Sequence, residues 1–162
     1  MADASARHQE ELIEALGKIK IFEGIHPEGL ARVASICTEE EHKTNTIIFK
    51  EGDVGDKLYL ILEGRVRISR EVAGMGEEAL TILSPGAAFG EMSLIDDVPR
   101  SADARVHDRC RLLVLTKDAL QELLFLDKDL AYEILWNFVR SLSTRLRQTN
   151  DKMTFLSFTV KF

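Results

Sequence analysis

The length, composition and charge of the chain exclude several classes of protein. Its 162 residues, 45% of them hydrophobic, suit one domain with an appended helix. The net charge of −6 argues against nucleic-acid binding by the whole chain. No apolar run approaches the roughly 20 residues of a membrane span, and the N-terminus lacks an apolar signal core. Cys37 and Cys110 form neither a metal-ligand spacing nor a disulfide framework, so we expect a cytoplasmic protein.

The first part of the chain, residues 1–37, is predicted to be helical. Residues 8–20 have the spacing of an amphipathic helix. Its apolar side would consist of Leu12, Ile13, Leu16 and Ile19. Pro27 suits the first position of a second short helix.

Residues 38–116 change to short β-type runs separated by glycines. The predicted strands are 46–49, 57–62, 66–72, 79–83 and 111–115. Gly74 and Gly76 indicate a hairpin turn. The sequence therefore predicts an α+β fold, mainly β. Its centre would be an antiparallel β-roll or jelly-roll barrel, preceded by helices and followed by a long C-terminal helix.

Residues 117–162 are predicted to form two helices, which would serve as a hinge and a dimer contact. Thr116 or Asp118 would cap the first helix, and residues 127–129 would form the bend between the two. A heptad seam follows along the second helix. It consists of Leu135, Val139, Leu142, Leu146, Thr149, Met153, Leu156 and Val160. We expect this seam to join two copies in a homodimer, with packing on the chain's own roll as the alternative. Residues 155–162 fit helix, strand or disorder.

The segment 89–102 combines one carboxylate, Glu91, with one guanidinium, Arg100. Arg100 offers positive charge and a planar fork of donors to a phosphodiester. Glu91 would repel a phosphate, so it makes sense as an acceptor for a sugar hydroxyl. Gly90 would let backbone approach a ligand closely. The alternative is a surface turn with both charged side chains exposed.

Residues Phe89–Val106 resemble the phosphate-binding cassette of cyclic-nucleotide-binding domains, with Gly-Glu followed by Arg-Ser-Ala. A second family signature precedes it, formed by Gly52-Asp53, Gly55, the block Leu58–Ile61 and Gly64. The resemblance covers about residues 20–150. Two departures are mild: Ser93 stands where Ala or Gly is usual, and Phe49 is bulkier than usual.

The resemblance implies a set of ligand-binding residues. In it Glu91 binds the ribose 2′-hydroxyl, Arg100 pairs with the cyclic phosphate, and Ser101 adds a phosphate or base contact. Ile68 and Leu80 line the base pocket. The full expected set is Gly90, Glu91, Met92, Ser93, Arg100, Ser101, Ala102, Ile68, Leu80, Thr149 and Asn150. The last two are included because the C-terminal helix resembles that of the catabolite activator protein family, where this segment meets adenine. We therefore favour cAMP over cGMP as ligand.

We expect a non-catalytic regulatory or sensor domain in which the ligand favours one packing of the C-terminal helices. The related activators continue into a helix-turn-helix, and this sequence ends at Phe162. We therefore expect no direct DNA binding, and either a stand-alone sensor or a regulatory piece of a longer protein with an unknown downstream partner. One alternative is a degenerate module that serves only protein interaction or dimerisation. Another is a cupin-like metalloenzyme, which the scattered histidines His8, His26, His42 and His107 disfavour. We expect no metal and no cofactor.

Overall fold

The computed structural model describes residues 2–159, except for the side chains of residues 2–5, 94, 96 and 156–159. The chain opens with helix α1 (Ala2–Gly17), a 3-10 turn (Lys20–Phe22) and helix α2 (Pro27–Ser35). Helix α1 thus begins before residue 8, where the predicted helix begins, and it ends at Gly17, three residues before the predicted end at residue 20. Pro27 is the first residue of α2, as predicted, because its fixed φ and missing N–H cost nothing there.

The strands form one antiparallel sheet, here called the roll. Their bounds are β1 (Thr38–His42), β2 (Ile47–Phe49), β3 (Lys57–Val72), β4 (Gly76–Leu83), β5 (Ala88–Phe89) and β6 (Asp103–Thr116). Neighbours follow the order β1-β6-β3-β4, with β2 also on β6 and β5 also on β3. Within the described residues β1 and β4 do not pair with each other, so the sheet is not closed. The predicted α+β class with an antiparallel roll is confirmed, whereas the predicted closure into a barrel is not found.

Both faces of the central strands are covered, and this explains their continuous apolar sequence. Leu58 and Leu60 of β3 pack against the helices in one core cluster. Tyr59 and Ile61 point to the other face and join a second cluster with Phe89. The strand therefore runs between two cores and holds the segments on either side of it at fixed positions.

Two helices, α4 (Lys117–Leu126) and α5 (Lys128–Thr159), complete the fold. The Thr116 hydroxyl accepts a hydrogen bond from the Ala119 N–H at 3.3 Å, so Thr116 caps α4 as predicted. Asp127 forms the predicted bend, and its carboxylate accepts from the Leu130 N–H at 3.0 Å.

Among the described residues of α5, the buried apolar side chains all lie in the first third of the helix. Leu130, Ala131, Ile134 and Phe138 are buried. Beyond Phe138, exposed apolar side chains occur at Val139, Leu142, Leu146, Met153 and Phe155. The side chain of Leu156 and all of Val160 lie outside the described residues, as do Lys161 and Phe162 of the unassigned tail. In the part of the chain described here, no helix is long and apolar enough to cross a bilayer.

Candidate functional site

The predicted cassette connects β5 to β6 as a loop with one short helix. Gly90 follows β5, helix α3 (Met92–Asp96) comes next, and Asp97 ends it in the left-handed conformation, with φ of 57°. The chain then turns through Pro99 and Arg100 into β6. Because β5 and β6 both pair with β3, the two ends of the cassette are held beside the same strand.

Arg100 is buried, with only 4% of its surface exposed. Its Nη1 donates to the Gly90 carbonyl and its Nη2 to the Lys57 carbonyl, both at 2.7 Å. Its guanidinium carbon lies 4.2 Å from the centre of the Phe49 ring. Burial lowers the pKa of Arg100 below its usual value, because the charged form loses water. Among the described residues, no group hydrogen-bonds to its Nε.

Two glycines are required by the close packing around Arg100. Gly90 has a φ of +80°, and a Cβ there would lie 2.6 Å from Arg100 Nη1. A Cβ at Gly55 would lie 2.1 Å from Ser93 Cβ and 3.1 Å from Arg100 Cζ. The second signature therefore has a physical role, because a side chain at residue 55 would push the cassette away from the loop before β3.

The same loop is bonded to Arg100 through backbone. The Gly52 N–H donates to the Arg100 carbonyl at 2.9 Å, and the Arg100 N–H donates to the Asp53 carbonyl at 2.8 Å. Arg100 is thus held by both its main chain and its side chain. This double attachment fixes the direction of a buried cation before any ligand arrives.

Glu91 is also buried, with 6% of its surface exposed. Its carboxylate accepts a hydrogen bond from Nη1 of Arg145, which comes from α5 and is itself half-exposed. The alternative prediction of a turn with exposed Glu91 and Arg100 is therefore wrong. Arg145 is absent from the set of site residues that the sequence predicts.

The structure brings together some of the predicted site residues and not others. Gly90, Glu91, Ser93 and Arg100 lie close together. Ser93 and Ala102 are buried, whereas Met92 and Ser101 are exposed. Ile68 packs against the second core cluster. Leu80 is half-exposed at an irregularity of β4.

Thr149 and Asn150 form no hydrogen bond to the cassette among the described residues. Both are exposed on α5. The Thr149 hydroxyl donates to the Arg145 carbonyl at 2.9 Å, one turn back along its own helix. Of the described residues of α5, it is Arg145 whose side chain hydrogen-bonds to the cassette. The predicted contact between this segment and a base stays a prediction.

A cleft of about 910 Å³ adjoins the cassette. It lies between the 3-10 turn, the connection from β4 to β5, and one face of α5. That face is polar, with Asn137, Ser141, Thr144, Arg145 and Gln148 along it. The distal part of α5 therefore stands away from the roll, and Arg145 lies where the cleft meets the cassette. Among the described side chains, no three His, Cys, Asp or Glu residues are grouped to hold a metal ion.

Comparison with known proteins identifies the family. Residues 39–127 match the cyclic nucleotide-binding domain family. This match includes the cassette and the loop that clamps Arg100. The chain belongs to the cyclic nucleotide-binding domain family.

Curated relatives and solved structures agree with this assignment. The chain is 32% identical over 146 residues to the CRP-like cAMP-activated global transcriptional regulator of Mycobacterium tuberculosis, covering 90% of this chain and 63% of the relative. It is 35% identical over 138 residues to the cyclic AMP receptor protein of Thermus thermophilus, covering 85% and 62%. The chain thus spans less than two thirds of the length of these relatives.

Two solved structures illustrate the range of the fold. A cyclic nucleotide-binding domain from Methylobacillus flagellatus KT matches with a TM-score of 0.79 at 32% identity, covering 90% of this chain and 82% of the other. The regulatory domain of Toxoplasma gondii PKA with cAMP matches with a TM-score of 0.67 at 28% identity, covering 72% and 44%. The relatives described here are regulators and binding domains by their names.

Proposed function

We propose that this chain is a non-catalytic regulatory domain that binds cAMP in the cassette. The observation that carries the proposal is the state of Arg100. It is a buried cation without a carboxylate at ion-pair distance among the described residues, and its Nε lacks a partner. A buried charge of this kind is costly unless an anion joins it. In the proposed complex the cyclic phosphate accepts hydrogen bonds from Arg100.

Charge at the site supports a ligand with one negative charge. Glu91 carries one negative charge, while Arg100 and Arg145 carry one positive charge each. These three groups alone leave one positive charge, which matches the one negative charge of a cyclic phosphodiester, and Asp53 and Asp56 act on Arg100 from beyond ion-pair distance. Glu91 then accepts the ribose 2′-hydroxyl, with Gly90, Met92, Ser93, Ser101 and Ala102 completing the cassette.

The proposed base is adenine. The Mycobacterium and Thermus relatives are named for cAMP, and the Toxoplasma structure contains it. We propose that Ile68 and Leu80 line the base pocket. Thr149 and Asn150 would then meet the base edge, one or both from the partner copy. On their own chain both are exposed on α5, and neither hydrogen-bonds to the cassette among the described residues.

The downstream partner is a protein that the sequence does not identify.

The proposed output is movement of α5. Beyond Phe138, the described part of this helix exposes its apolar side chains and reaches the cassette through Arg145 and Glu91. A ribose hydroxyl at Glu91 would share or displace the Arg145 contact. The ligand thereby changes the free-energy difference between two positions of α5, by as much as its affinities for the two differ.

A calorimetric titration of the nucleotide-stripped protein with cAMP and with cGMP tests the proposal. We expect cAMP to bind more tightly than cGMP. Replacing one partner of a buried charged pair typically costs about 2–5 kcal/mol, so Arg100→Leu should weaken binding roughly 30-fold or more. Arg147→Leu removes an exposed arginine of α5 and serves as the matched control.

Two results would contradict the proposal. Equal affinity of the unaltered protein and Arg100→Leu would exclude the assigned phosphate site. A folded protein that binds neither nucleotide would favour the alternative, a degenerate module that acts only through protein contacts.

A further inference from the structure

The Arg100 guanidinium carbon lies over the face of an aromatic ring. This carbon, Cζ, is 4.2 Å from the centre of the Phe49 ring and 5.9 Å from that of Tyr59. Both distances fall within the roughly 6 Å over which the negative face of a ring attracts a cation. Phe49 is the last residue of β2, where it opposes Ala104 of β6. The ring is therefore held by the sheet and not by the cassette.

Phe49 belongs to a group of aromatic rings that limits its freedom. Its ring centre lies 5.9 Å from that of Tyr59 and 6.0 Å from that of Phe89. Tyr59 and Phe89 stack on each other at 5.1 Å. Phe49 thus connects Arg100 to the buried core of the roll, while the other two rings support it.

An aromatic ring beside Arg100 differs from a carboxylate because it leaves the N–H donors of the guanidinium unbonded. A carboxylate beside Arg100 would neutralise its charge and occupy its N–H groups, so a phosphate would have to compete with it. An aromatic face stabilises the desolvated cation and uses none of its donors. Two of the five N–H groups of Arg100 are bonded to carbonyls, and no described group bonds to Nε–H. The remaining donors form no hydrogen bond with a described group, so an anion would not have to displace a carboxylate from them.

We propose that Phe49 is a positioning residue for the phosphate-binding Arg100, which it holds in place through a cation–π contact. The inference rests on the proposed function and deepens it. Phe49 lowers the cost of keeping Arg100 charged and buried before a ligand binds, and it limits the movement of the guanidinium. Both effects reduce the free-energy cost of ordering the site when the ligand binds.

A double-mutant cycle separates this role from ordinary packing. On the cation–π scale, we expect Phe49→Leu to weaken binding of the tighter cyclic nucleotide about 10-fold. Phe49→Tyr keeps the aromatic face and should stay within about threefold of the unaltered protein. In the Arg100→Leu background, Phe49→Leu should cause no further loss. An equal loss in both backgrounds, or failure of Phe49→Tyr to retain affinity, would overturn the proposal.

A fluorination series tests the same contact without changing the shape of the core. Phenylalanines with one, two and three ring fluorines at position 49 should weaken binding stepwise, because each fluorine reduces the negative charge of the ring face. The same series at Phe89, which has no described guanidinium contact, is the control. If affinity does not change along the series at position 49 while the unaltered protein still binds, the cation–π role is excluded and the proposed function is not. If the unaltered protein binds neither cAMP nor cGMP, the proposed function fails and this inference fails with it.

Discussion

Glu91 and Arg100 are both buried in the cassette, yet their charges have different surroundings. Glu91 meets a cation from α5, whereas Arg100 meets backbone carbonyls and an aromatic ring. Among the described residues the Glu91 carboxylate thus has a cation at ion-pair distance, whereas the Arg100 guanidinium has no carboxylate at that distance. This asymmetry places the attraction for an anion at Arg100 and leaves Glu91 suited to accept a hydrogen bond.

Glu91 should control the preference for a ribose 2′-hydroxyl. A hydrogen bond to a charged group contributes about 1.5–3 kcal/mol, so we expect cAMP to bind at least about 10-fold more tightly than 2′-deoxy-cAMP. Glu91→Ala should remove most of this difference while affecting the deoxy ligand less. Arg145→Ala is the control, because it removes the partner of Glu91 and keeps the acceptor. An unchanged ratio of the two affinities in Glu91→Ala would contradict the sugar contact.

The cassette could be predicted at residue level because its chemistry is local in sequence. Glu91, Arg100 and the glycine that gives clearance at residue 90 all fall within one short segment. Gly55 was visible as part of a signature, although its contact with Ser93 required the structure. Arg145 could not be assigned, because it is 54 residues from Glu91 and its position depends on where α5 crosses the roll.

At the scale of elements, α5 has two unlike parts. Up to Phe138 it is anchored in the core, and beyond that residue its described apolar side chains are exposed. The polar face of the second part borders the cleft. Among the described residues, the ion pair between Arg145 and Glu91 is therefore the hydrogen-bonded contact between distal α5 and the cassette.

Arg145→Ala should loosen distal α5. If the pair contributes about 1 kcal/mol, amide hydrogen exchange in residues 144–155 and in the cassette should become roughly fivefold faster. Arg147→Ala, on the same helix and exposed, should leave both segments unchanged. Equal exchange rates in Arg145→Ala and the unaltered protein would show that this ion pair does not hold the helix.

Element boundaries were harder to predict than element types. The charged strand β1, with sequence Thr-Glu-Glu-Glu-His, was missed because it is largely exposed and lacks alternating apolar residues. Strand β3 was predicted as two strands, and the structure has one, with register irregularities between Ile61 and Val66. Pairing with β6 from Lys57 to Ser69 overrides the local signal of Gly64.

For the whole molecule, the exposed apolar side chains of distal α5 favour the predicted seam over packing on the chain's own roll. The heptad seam places Leu142 and Leu146 at contact positions, and on the single chain they are 39% and 62% exposed. Exposed apolar side chains along one helix face are typical of a surface that another protein covers. We propose a second copy of this chain as that protein, because the heptad spacing matches itself.

Replacing both Leu142 and Leu146 with Lys should convert dimers to monomers in sedimentation velocity at micromolar concentration. The lysines would put charge into an apolar seam, which opposes burial. The matched control is Ser141→Lys with Gln148→Lys, which adds the same charge to the face that borders the cleft. If the unaltered protein is a monomer at high micromolar concentration, the seam does not form a dimer.

The most direct test of the account is a crystal structure of the protein soaked with cAMP. We predict that the cyclic phosphate accepts hydrogen bonds from Arg100 and that the ribose 2′-hydroxyl donates to Glu91, with the Phe49 ring still against the guanidinium. An empty cassette at saturating cAMP would contradict the account. So would a bound nucleotide that contacts neither Arg100 nor Glu91.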